Sequence, residues 1–186
     1  MAPYEIISIY LKGQKSDDLV NLIHQILIKQ GGDLNFSCLL FLNDIGDEEF
    51  EPEEVINSQE ALEKISSWPS FVTITYDMPE GKVSVTFDGK NKQIFSVTIS
   101  VPNSILEKED IFGKREDDSW KRYVSIATQI HDYTAANRTI FDWGLIENGF
   151  KWTEELEKLK SGKISGKYKY LDLIARNEYL VRSLPS

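Results

Sequence analysis

Between residues 71 and 101, apolar and hydroxyl side chains alternate almost without interruption. Val72, Ile74 and Tyr76, then Val83, Val85 and Phe87, then Phe95, Val97, Ile99 and Val101 fall on one side. Thr73, Thr75, Ser84, Thr86, Ser96, Thr98 and Ser100 fall on the other. Successive side chains on a strand point to opposite faces, so three such runs joined by turns describe an antiparallel meander. One face is apolar and the other is an uncharged hydroxyl strip. Reversals are expected at Pro79-Glu80-Gly81 and at Asp88-Gly89, which carry residues suited to tight turns. Charged residues make up 27% of the chain. A long strip without any is therefore expected to be covered by the C-terminal segment or by a second copy.

The flanking segments complete an α+β domain. Residues 4–11 read as a strand, and residues 13–16 as a turn delivering Ser16 as a helix N-cap, with Asp17 and Asp18 at the positive end of the dipole. Leu19, Leu22, Ile23, Ile26 and Leu27 form the helix's apolar stripe, and Gly31-Gly32 stops it. Residues 36–42 are apolar apart from Ser37, and are read as a central strand that buries Cys38 as a reduced thiol. These pieces predict a βαβ-like start, with parallel neighbouring strands joined by a crossover.

Asn57 with Glu60 three residues on marks a capping box, opening a short helix that carries Leu62 and Ile65 and ends before Trp68-Pro69. Beyond the meander, residues 103–117 read as a loop with one helical turn near Ile105. A long helix is expected from Asp118 or Ser119 towards Asn137, with Trp120, Tyr123, Val124, Ala127, Ile130 and Thr134 on one face. Thr153 caps a further helix through Lys160, residues 161–167 form a flexible joint, and residues 168–184 suit either strand or helix. The whole chain, 1–186, is expected to be one domain: a mixed sheet of about five strands with helices packed on one face.

A chain of 186 residues can bury roughly 70% of the surface its unfolded form exposes, so its core needs no metal or disulfide. The single cysteine excludes an internal disulfide framework and every multi-cysteine zinc motif, and two histidines cannot complete a nitrogen and sulfur metal site. No metal or other cofactor is expected. The N-terminus lacks the pattern of a signal peptide, and no apolar run approaches the ~20 residues of a membrane span. The expected compartment is the cytoplasm, without membrane association.

Charge is unevenly spread. Residues 1–66 hold 13 acids and 4 bases, residues 67–150 hold 12 and 9, and residues 151–186 hold 5 and 8. An acidic front argues against nucleic-acid binding, which needs a concentrated positive surface, and leaves a basic protein as the natural partner. No feature sets the oligomeric state.

The densest signal is Asp44, Asp47, Glu48, Glu49, Glu51, Glu53 and Glu54. A calcium loop starting at Asp44 would need glutamate where Val55 stands, and Pro52 interrupts it. The run is either a solvated loop or a docking surface, with Asp47, Glu48, Glu49, Glu51, Glu53 and Glu54 steering a basic partner.

His131 falls on the apolar stripe of the long helix, which suits a core histidine with one hydrogen bond. As a general base it would need an orienting carboxylate from Asp132, Asp142 or Asp77. Asp132 points about 100° away around the helix. His24 belongs at the rim of the first helix.

Phe141, Trp143, Phe150 and Trp152 read as a satellite core, or else, with Arg138 and Asn148, as a ligand groove. No nucleophile elbow, phosphate loop or dinucleotide fingerprint occurs. The leading expectation is a non-enzymatic interaction protein, of inhibitor or immunity type, that neutralises a basic partner through its acidic region. The alternative is a small-ligand binder or enzyme with a pocket near His131 using Arg138, Trp143, Asn148 and Trp152.

Overall fold

The computed structural model describes residues 4–42, 57–106, 119–143, 171–174 and 178–181. Its elements run in the order β1 (Tyr4–Lys15), α1 (Ser16–Lys29), β2 (Asp33–Leu42), α2 (Ser58–Ser67), β3 (Phe71–Met78), β4 (Gly81–Lys90), β5 (Gln93–Pro102), α3 (Asn103–Leu106), α4 (Ser119–Thr134), β6 (Arg138–Trp143), β7 (Leu171–Ile174) and β8 (Glu178–Val181). The strands form one sheet in the order β2-β3-β4-β5-β1-β6-β7-β8. Every pairing is antiparallel.

The alternation forms the predicted meander. Its register aligns Ile74, Val85, Ile99, Ile7, Phe141 and Leu171 in one row across six strands, and all six are fully buried. Leu19, Val20, Ile23, Ile26 and Leu27 of α1, Ala61, Leu62 and Ile65 of α2, and Tyr123, Ile126, Ala127 and Ile130 of α4 join the same core. Fully burying a side chain of this kind contributes about 1.5–3 kcal/mol, so this row and its helical cover dominate the fold.

The next row is Thr73, Thr86, Thr98, Ser8, Ile140 and Asp172. On β3, β4 and β5 this face is half-exposed, with Thr73 and Thr86 sharing a 2.9 Å hydrogen bond. On β1, β6 and β7 it is closed: Ile6, Ser8, Tyr10, Arg138, Ile140 and Asp172 are buried. The described C-terminal strands lengthen the sheet beyond β6 rather than lying across the hydroxyl strip.

Several expectations are corrected. Among the described residues the sheet has eight strands and every pairing is antiparallel, rather than a mixed sheet of about five. β1 and β2 run in the same direction but are not neighbours, because β3, β4 and β5 lie between them. The partner that wins β1 is β5, whose Val97 and Ile99 match Ile9 and Ile7 on one face. β2 is an edge strand whose register shifts between Asn35 and Leu40, so Cys38 is exposed rather than core.

Asp88-Gly89 is not the second reversal. The chain turns at Asn91 and Lys92, both left-handed at φ 54° and 61°, as a two-residue hairpin loop twisted to suit its strands requires. Gly89 instead sits at a register shift, where an added Cβ would lie 2.3 Å from the Gln93 carbonyl oxygen. The same irregularity buries Ile94 and turns Phe95 outward, off the apolar face.

Ser16 is the first helical residue of α1 rather than its cap, and its side chain makes no capping bond. The expected stop at Gly31-Gly32 forms as drawn: Gly31 is left-handed at φ 87°, and Gly32 N–H donates to Leu27 O at 2.9 Å while Gly31 N–H donates to Ile28 O at 3.0 Å. Asn57 caps α2 by accepting from Glu60 N–H at 3.0 Å. The helix capped by Thr153 and the joint at 161–167 lie outside the described residues. Among the described residues no helix is long and apolar enough to cross a membrane.

Candidate functional site

Three local features converge at the start of α1. Ser16 N–H donates to Lys92 O at 3.1 Å, and the buried Ser16 hydroxyl donates to Ser66 O. The first turn of α1, the last turn of α2 and the β4–β5 reversal are thereby tied at one point. Beside this knot a groove of about 420 Å³ opens, with Asp17 and Asn21 on one wall, Gln59, Glu63 and Ser67 on the other, and Lys92 at its end. Among its described lining residues Leu62 is the one apolar side chain.

Helical spacing builds both walls. Asp17 and Asn21 are one turn apart on α1, and Asn21 Nδ2 donates to Asp17 O at 2.9 Å. Gln59 and Glu63 are one turn apart on α2, and Gln59 Nε2 donates to Glu63 Oε1 at 3.0 Å. The apolar stripes of both helices face the core, so what remains towards the groove is polar. Such a lining suits a hydrated, hydrogen-bonding guest. The described lining of the groove offers no imidazole or thiol for proton transfer or nucleophilic attack, and the described residues contain no cluster of metal-ligating side chains.

The six acids expected to steer a partner, Asp47, Glu48, Glu49, Glu51, Glu53 and Glu54, lie outside the described residues, as do Asn148, Phe150 and Trp152. In the chain, the acidic run leads directly into Asn57 and the α2 wall of the groove. None of the groove residues forms a motif in the sequence, because the walls come from segments more than 30 residues apart. The one signal that points to them is the pair of i, i+4 polar residues left on the outer faces of two amphipathic helices.

His131 is buried between α4 and the sheet, its Nδ1 2.9 Å from the Thr139 hydroxyl. Burial pushes its pKa down, and the charge of Asp132 only partly opposes this. Asp132 is exposed. Asp142 lies on the opposite face of the sheet from Thr139, since it pairs with Ile6 while Thr139 pairs with Ile9. Asp77 is engaged by Lys82 at 2.5 Å and by Asn35 at 3.1 Å, contacts that hold its carboxyl below the usual range. Among the described residues, the recorded hydrogen-bond partner of the imidazole is the Thr139 hydroxyl.

His24 is a half-buried rim residue, its Nδ1 3.0 Å from the hydroxyl of the buried Tyr76. Burial lowers its pKa against the pull of Asp33, and burial raises that of Tyr76.

Arg138 is fully buried on the face opposite His131. Its Nε and Nη2 donate to Asp172 at 3.0 and 2.9 Å, a bidentate pair joining β6 to β7. Trp143 ends β6, paired with Glu5. The sheet therefore separates Arg138 from His131, which a ligand pocket near the imidazole would have had to bring together. Compared with protein-family models, curated proteins and solved structures, the chain matches none.

Proposed function

We propose that this protein is a non-enzymatic interaction module of inhibitor or immunity type, which engages a basic protein partner. The observation that carries this reading is the concentration of acid in the first third of the chain, 13 acids against 4 bases over residues 1–66. The groove supports it, because it adds the carboxylates of Asp17 and Glu63, which belong to the same acidic third of the chain. Lys and Arg side chains of a partner are hydrogen-bond donors only, and they match carboxylates and side-chain carbonyl oxygens. Clustered charge of one sign mainly accelerates encounter, and a groove with hydrogen-bonding walls sets the bound register.

The test is affinity capture from the source organism, using the wild-type chain beside a variant carrying Asp47→Asn, Glu48→Gln, Glu49→Gln, Glu51→Gln, Glu53→Gln and Glu54→Gln. A basic protein retained by the first and lost by the second is the expected result. Retention of the same proteins by both would overturn the proposal.

A further inference from the structure

At one end of the sheet, three buried side-chain oxygens have no hydrogen-bonding partner among the described residues: Glu80 Oε2, Asn103 Oδ1 and the Tyr123 hydroxyl. Such groups are rare in folded proteins, and each calls for an explanation. Tyr123 is fully buried, Asn103 is 8% exposed and the Glu80 side chain 10% exposed.

They belong to elements that meet at one end of the sheet. Gly81, next to Glu80, faces α3: an added Cβ on it would lie 3.2 Å from Ile105, two residues after Asn103 in the same helix. α3 packs on α4. Arg122 of α4 reaches Glu80 Oε1 at 2.9 Å and Gln30 O at 3.2 Å, closing the turn against the ends of α1 and α4. Burial pushes the ionisation of the phenol of Tyr123, the next residue, up, and the nearby Glu80 carboxylate adds to this against the charge of Arg122. It stays a hydroxyl throughout the physiological range.

The hydrogen-bonding capacities select the guest. Glu80 Oε2 and Asn103 Oδ1 only accept, and the Tyr123 hydroxyl has a proton to donate. We propose that Glu80, Asn103 and Tyr123 form an internal site for one neutral molecule with two donors and one acceptor, namely a single water bound between the β3–β4 turn, α3 and α4. Buried waters typically make about three hydrogen bonds, the number offered here. A metal cation would find oxygens but also the Arg122 guanidinium, whose like charge repels it across a weakly screening interior. An anion is excluded by Glu80. The bound water fixes the carboxylate oxygen that Arg122 leaves open, and so completes the clamp on Gln30.

A crystal structure of the full chain that resolves ordered water is expected to show one peak about 2.7–3.0 Å from all three oxygens. A peak at about 2.4 Å with further oxygens around it would mean a cation and overturn the proposal. Direct bonding among the three side chains, with no peak, would also overturn it. In solution, water relaxation dispersion should count one fewer long-lived water in the Tyr123→Phe, Asn103→Leu variant than in the wild type. Equal counts from two folded proteins would refute the site.

Discussion

Burial holds His131 and His24 below the ordinary imidazole value of 6.5, and this makes both residues pH-dependent elements of stability. In the folded protein the rings stay neutral as pH falls, while in the unfolded chain they take up a proton near 6.5. Their contribution is therefore complete above about pH 6.5 and is lost as pH falls from there through the lowered folded values. Thermal melts between about pH 7.5 and 5.5 should show this loss, and a His24→Gln, His131→Gln variant should show a flatter slope over the same window. An unchanged slope would assign the loss to other groups. His131→Ala should cost roughly 1–3 kcal/mol, through lost packing and the orphaned Thr139 hydroxyl.

The Arg138–Asp172 pair predicts a larger effect. Asp172→Ala leaves a buried guanidinium without its carboxylate and should cost about 3–5 kcal/mol in denaturant unfolding, more than the joint change Arg138→Met, Asp172→Leu. The burial of His131 was legible in its helical spacing. The Arg138–Asp172 pair was not, because it depends on a β6–β7 register between segments 34 residues apart that no local pattern encodes.

At the scale of elements, sequence pattern and turn chemistry carried different amounts of information. The period-2 alternation located β3, β4 and β5, because a strand buried on one face leaves no other register open. Asp88-Gly89 misled because glycine serves a bulge as readily as a turn, and the left-handed pair Asn91 and Lys92 has only one residue that favours that conformation. The apolar run 36–42 resembled a central strand because composition alone does not separate a buried edge from a buried centre. Strand order decides protection. With β5 and β1 in the middle of the sheet, the amides of Ile7, Ile9, Val97 and Ile99 should exchange slowest with deuterium, and those of Ser37 and Cys38 on edge strand β2 among the fastest. Uniform exchange across β1, β2 and β5 would contradict the topology.

For the molecule as a whole, what the sequence made legible of the candidate site was its charge, and what it hid was its shape. The acidic front can be counted from composition, whereas the groove exists only because Ser16 and Lys92 dock α1, α2 and the β4–β5 turn together. These two parts act on different steps of association. Long-range charge acts while the partner is still diffusing, within a Debye length of about 10 Å at 0.1 M salt. Groove contacts form only at docking. Neutralising Asp47, Glu48, Glu49, Glu51, Glu53 and Glu54 should therefore slow association by about ten-fold or more at low salt and leave dissociation nearly unchanged. Asp17→Asn with Glu63→Gln should do the reverse, with a small loss in association and a clear rise in dissociation rate, because these residues touch the bound partner. Stopped-flow mixing of the captured partner with each variant at two ionic strengths separates the two roles. The steering set should flatten the salt dependence, and the groove pair should leave most of it in place. If both variants shifted the same rate constant with the same salt slope, the acidic run and the groove would be one undifferentiated charged surface, and the division of labour argued from their positions would fail.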